Sequence, residues 1–260
     1  QDQGAGAGGR QFEVGGDRML GPGGLGVVAE GKPMLIAAIT DDLVAKGLKA
    51  GDLIKAIVPA WSWNSLNSSL YPDGAFKTAY GSLLTLALVT SGARINPVIY
   101  KAILLGDTLG FLTKSQQAVL SSSGPGALEN VINVPALFLQ GTDDVLFPLQ
   151  QAVDNAAILA GKGLTTKMIW TCIGHGECLG TTPTDLIPQA NANVTASMAY
   201  LYHYLDNFPA AVTIDQVPTF TWFDQRLTAH TSNLLPSDPN FNTTPVTQTS
   251  TGGRLFIVPV

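Results

Sequence analysis

Short apolar runs alternate with longer amphipathic stretches through much of the chain. "LGVVA" (25–29), "LIKAIVPA" (53–60), "NVPALFLQG" (133–141) and "TKMIWTC" (166–172) are brief and flanked by Gly, Pro or Asn, the pattern of buried strands. "PMLIAAITDDLVAKGL" (33–48), "PLQQAVDNAAILAGKG" (148–163) and "TASMAYLYHYLDNF" (195–208) space their apolar residues three and four apart and predict helices. Pro33 suits the start of the first. Strands alternating with helices through short connections predict an α/β fold built on a parallel sheet.

Three regions depart from this rhythm. Residues 1–24 are glycine-rich with no sustained period, a loop or tail. Within 62–128, "AFKTAYGSLLTLALVTSGA" (75–93) and "NPVIYKAILLGDTLGFLTKSQQAVLSSSG" (96–124) have helical periodicity with glycine and proline breaks. From about Val212 the composition turns to Thr, Pro and Asn with short β-like runs, "PTFTWFD" (218–224) and "GRLFIVPV" (253–260), which read as a separate all-β module.

Composition narrows the class. Hydrophobic residues make up 45% and charged residues 13%, with no apolar run near the roughly 20 residues of a membrane-spanning helix. The net charge is −5 and Lys and Arg are scattered, which argues against a nucleic-acid partner. Few charges, abundant Thr, Asn, Ser and Gly, and paired cysteines suit an exported, secreted or cell-surface protein. N-x-[ST] triplets at Asn67, Asn193 and Asn242 add weak support. No signal peptide opens the sequence, so an exported protein would be the mature form. "GPGGLG" (21–26) precedes its strand instead of following it, so it fails as a dinucleotide loop. No Cys/His/Asp spacing supports a metal site, and no cofactor is expected.

The chemistry concentrates at the ends of two strands. "FLQGTDDVLFP" places Asp143 and Asp144 just past one strand, and the next ends in "WTCIGHGECLG" with His175 among glycines. Ligands and catalytic groups gather at that edge of a parallel sheet. Adjacent strands lie about 5 Å apart, so the acid and the imidazole can meet. A carboxylate there fixes the tautomer and stabilises the imidazolium. Asp143 is expected in the turn. Cys172 and Cys178, the only cysteines, flank His175 symmetrically and are expected to form a disulfide across its loop, the alternative being two reduced, packed thiols. Trp61, Trp63, Tyr71 and Tyr80 are candidates to line a substrate pocket, or else core residues. His203, in "YLYHYL", reads as a packed helix residue, and His230 shows no partner.

On "IKAIVPAWSWNSLNSSLYPDGAFKTAYGSLL", "VPALFLQGTDDVLFP", "KMIWTCIGHGECL", "PTFTWFDQ" and "LLPSDPNFN", the chain resembles the Xaa-Pro dipeptidyl-peptidase-like and cocaine-esterase-like α/β-hydrolases. The resemblance implies an α/β-hydrolase core at 25–61 and 129–211, short of its N-terminal strands. It also implies a helical cap at 62–128 and the start of a C-terminal all-β, jelly-roll-like domain, truncated here, at 212–260. Asp144 would be the triad acid and His175 the base. The activity implied is cleavage of an ester or amide substrate through a serine acyl-enzyme.

One departure stands against that pattern. Such hydrolases carry the nucleophile in a G-x-S-x-G elbow between a strand and a helix. The position with that context here reads Ala29, Glu30, Gly31, Lys32, Pro33, so Gly31 occupies the nucleophile's place, and no G-x-S-x-G occurs anywhere in the chain. Ser82 and Ser121 to Ser123 lie in the helical insert and read as cap or turn residues. Three readings follow: a sequence missing upstream segments, a fragment whose sheet a second chain completes, or a catalytically inactive hydrolase fold that binds or scaffolds. A surface module carried on a dead hydrolase is a further variant of the last.

Overall fold

The computed structural model describes residues 54–90, 97–122, 124–127, 132–176, 178, 181–204 and 213–241, with strands at 26–28 and 35–38. Its centre is a four-stranded sheet in the order β3-β4-β5-β6: β3 (Ala136–Gly141), β4 (Thr166–Thr171), β5 (Phe220–Phe223) and β6 (Ala229–Ser232). β3 pairs parallel with β4 from Ala136↔Thr166 to Gly141↔Thr171, β4 parallel with β5, and β5 antiparallel with β6. Every residue of β3 is buried, as a strand covered on both faces requires.

Alternation along β3 divides the core. Ala136 and Phe138 face helix α5 (Leu149–Gly161), which crosses from β3 to β4 and packs Ala152, Ala156 and Leu159 onto them. Leu137 and Leu139 face helix α6 (Ile187–Tyr204), which contributes Ala196, Ala199 and Tyr200. Two helical layers thus enclose the sheet. The Tyr200 hydroxyl donates to Thr165 O at 2.8 Å, and burial pushes its phenol pKa up. The expected strand 53–60 runs beside β3 as two parallel bridges, Ile57↔Ala136 and Ala60↔Leu139. Pro59 explains the gap: its carbonyl accepts from Leu139 N at 2.9 Å, but without an N–H it donates nothing back.

Four more helices, α1 (Leu66–Leu70), α2 (Thr78–Thr90), α3 (Pro97–Leu109) and α4 (Lys114–Ser122), surround Leu70, Phe76, Ala102, Ile103, Leu112 and Leu120. Leu146 and Phe147, from the loop after β3, complete this core. Gly81 and Gly106 lie inside α2 and α3 instead of breaking them. A Cβ on either would come within 2.6 Å of the Phe76 ring, so both glycines admit that side chain between the helices.

Two expectations change. Leu35–Ala38 (β2) is a strand, not a helix, paired antiparallel with Gly26–Val28 (β1) as a separate two-stranded sheet. A short apolar run such as "LIAA" cannot be assigned by periodicity alone. The next described element after β1 is thus β2 and not a helix; Gly31 itself and the glycine-rich 1–24 lie outside the described residues. The run 220–223 opens no separate β module: β5 is the third strand of the central sheet and β6 its antiparallel edge, while 242–260 lie outside the described residues. Its aromatic packing explains the membership, since Phe220 sits edge-on to Trp170 of β4 at 4.7 Å.

His230 also has a partner. Its Nε2 lies 3.0 Å from Asp224 Oδ2 across the β5–β6 turn, and its ring stacks on Trp222. His203, in the last turn of α6, is exposed against Tyr204. Asn193 is buried in α6 with its Nδ2 3.4 Å from Thr171 Oγ1, so that triplet is closed to a glycan in the folded chain.

Candidate active site

The acid is built into the turn that follows β3. Asp144 Oδ1 accepts from the backbone N–H of Leu146 at 3.1 Å and of Phe147 at 2.8 Å, the side-chain-to-backbone pattern that Asp favours in turns. Oδ2 accepts from Gln140 Nε2 at 3.3 Å and faces Nδ1 of His175 at 2.8 Å. The carboxyl side chain has no exposure, whereas the imidazole retains 35%. A carboxylate only accepts, so the proton of that contact belongs to Nδ1, and in the neutral imidazole the lone pair lies on Nε2. Among the described residues no hydroxyl hydrogen-bonds Nε2.

Glycines bring the two loops together. A Cβ on Gly174 would sit 2.8 Å from Asp144 Cβ, and one on Gly176 would sit 2.1 Å from the carbonyl oxygen of Asp143. A Cβ on Gly141 would meet Ile173 O at 2.7 Å. The G-H-G motif thus serves close approach, since any side chain there would push His175 off the acid turn. A disulfide joins Cys172 and Cys178 across the loop, with Cα atoms 5.5 Å apart. Gln189 of α6 anchors one end, its Oε1 accepting from Cys172 N at 2.6 Å.

Aromatic rings frame the imidazole. Phe147 lies edge-on at 5.0 Å and Trp61 at 6.3 Å between ring centres. Trp63 contacts Phe147 at 5.1 Å, one ring removed from His175. Tyr80 donates its hydroxyl to His175 O at 3.3 Å. Tyr71 instead packs against the core of the helical segment. Trp61 adopts a positive φ of 50° directly after the bridge of Ala60 to β3, a left-handed conformation that costs a bulky residue roughly 1–2 kcal/mol. Its backbone N–H donates to Leu139 O at 2.9 Å, which holds it there. The indole N–H groups of Trp61 and Trp63 are buried with no partner among the described residues.

Asp144, His175, Cys172, Cys178 and Trp61 therefore converge, while Tyr71 does not. Ser82 Oγ donates to Asp107 Oδ2 at 3.0 Å between α2 and α3, and Ser122 Oγ to Val119 O at 2.9 Å. Neither engages the imidazole. Phe147 and Gln140 are additions that sequence reasoning missed; a glutamine inside the otherwise apolar "ALFLQG" was the available signal. Asp143 has a carboxylate oxygen 3.3 Å from Cys172 Sγ. With Cys178 these three cluster, but sulfurs joined to each other offer no thiolate to a metal.

No family model matches the chain, and no curated protein matches it. Among solved structures it is similar to an acylaminoacyl peptidase from Pyrococcus horikoshii, at 15% identity and a TM-score of 0.39. That similarity covers 64% of this chain but only 22% of the peptidase. Among the described residues, no helix is long and apolar enough to cross a membrane.

Proposed function

We propose that this chain carries the acid–base half of a serine hydrolase of the Xaa-Pro dipeptidyl-peptidase and cocaine-esterase type, with His175 as base and Asp144 as its orienting acid. The observation that carries the reading is the 2.8 Å contact from Nδ1 to a fully buried carboxylate, which leaves Nε2 on the open side. In that role Nε2 takes the proton from an attacking hydroxyl, then returns it to the leaving alkoxide or amine. Asp144 stabilises the imidazolium formed between the two transfers. The nucleophile is a serine outside the described residues, supplied by a further segment or by a second chain that completes the sheet.

Trp61, Phe147 and Trp63 supply an apolar wall for the acyl or prolyl portion of a small ester or peptide substrate. In this reading residues 62–128 act as the cap over a core formed by 54–61, 132–204 and the β5–β6 pair. The disulfide fits an exported protein.

A second reading has its own observation: no hydroxyl engages Nε2 among the described residues, and the chain has no G-x-S-x-G. It makes the protein a non-catalytic hydrolase fold that binds or scaffolds through the aromatic pocket, or that carries a surface module. A fluorophosphonate probe separates the two. The protein purified from its natural source is expected to be labelled, and absence of labelling there supports the binding role.

A further inference from the structure

The N-terminal end of α2 touches both halves of the acid–imidazole pair. Lys77, the residue just before Thr78, is fixed at both backbone ends: its N–H donates to Leu70 O at 2.8 Å, and its carbonyl accepts from Gly81 N at 2.9 Å. From this post its Nζ donates to Val145 O at 2.7 Å and Leu146 O at 3.3 Å. Those carbonyls belong to the turn whose N–H groups, at Leu146 and Phe147, hold Asp144 Oδ1. Three residues on, and so on the same helix face, Tyr80 ties the His175 loop through its carbonyl.

We propose that Lys77 is a positioning residue for the pair, holding the acid turn in the conformation that presents Asp144 Oδ2 to His175 Nδ1. The proposal rests on the reading of Asp144 and His175 as acid and base. Charge agrees with geometry. Burial pushes the Lys77 ammonium below the usual lysine range, and the negative charge of Asp144 pulls the other way. An ammonium that loses water in this way is held by the carbonyls it meets. Leu146 and Phe147 also pack into the helical core, so displacement of the helical segment would reach the acid through the same turn.

The test needs no turnover. In the full chain, hydrogen exchange at the Leu146 and Phe147 amides and the Nδ1 proton signal of His175 are followed by NMR. Lys77→Met is expected to speed exchange at those two amides at least roughly tenfold and to broaden the Nδ1 signal. Lys77→Arg, which keeps charge and donors, should restore both, and Tyr80→Phe should leave the two amides unchanged. Unchanged protection in Lys77→Met overturns the proposal, as does equal loss in Lys77→Arg. If Lys77→Met does not fold, alkaline titration of the native chain decides. Discharge of Lys77 should move the His175 Nδ1 and Leu146 signals in one step that Lys77→Arg lacks, and no such step overturns the proposal. These signals do not depend on a nucleophile, so failure of fluorophosphonate labelling leaves this test intact.

Discussion

Asp144 Oδ2 lies 2.8 Å from Nδ1 of His175, each residue projecting from the loop after one of two neighbouring parallel strands, β3 and β4. Gln140 and two backbone N–H groups satisfy the rest of the carboxylate. Asp144→Asn keeps the shape but presents an amide that can donate to Nδ1, which moves the imidazole proton to Nε2. Under the proposed hydrolase reading, turnover should then fall by roughly 10³–10⁴. Nitrogen chemical shifts of His175 would report the tautomer directly.

Gly176 and Gly174 test the close approach of the two loops. Gly176→Ala places a methyl against the backbone oxygen of Asp143, while Gly174→Ala meets the Asp144 side chain. Both should lower unfolding free energy by about 1–3 kcal/mol in chemical denaturation, with Gly176→Ala the worse because a backbone atom yields less.

The disulfide closes a small ring around His175. Its loss should cost roughly 2 kcal/mol, measured by denaturation of Cys172→Ser/Cys178→Ser against the native chain. Two free thiols titrated in chain unfolded without reductant would contradict the bridge.

The turn between β5 and β6 carries a pH dependence. Burial alone would raise the Asp224 pKa, but hydrogen bonds from His230 and from the N–H groups of Thr228 and Arg226 outweigh it and hold the carboxyl below its usual range. A depressed acid contributes stability that is present above the unfolded value, about 3.9, and lost as pH falls through the folded one. Asp224→Asn should therefore be less stable than the native chain at pH 5, and the gap should close as pH falls below about 4. Paired denaturation curves from pH 5 to 2 measure it.

The sheet was legible where burial was two-sided. "ALFLQG" is apolar on both faces, and Pro135 before it and Gly141 at its end mark so short a run as a covered strand. The meeting of Asp144 and His175 was legible because each follows such a strand and glycines surround the histidine. "LIAA" was not, because four apolar residues serve a strand or a helix equally well. β5 was misplaced for a different reason: its Thr-rich flanks suggested a new module, whereas its fate was set by Phe220 packing on Trp170, a contact distant in sequence. Lys77 gave no sign, since a lysine that caps distant carbonyls has the same local pattern as one in water.

The most direct test of the proposed acid–base role compares the native protein with His175→Ala, both produced in the natural source, on an activated acyl ester. Fluorophosphonate-sensitive hydrolysis in the native protein should drop by about 10³-fold or more in His175→Ala, with the fold retained by circular dichroism. Equal hydrolysis by the two proteins would contradict that role.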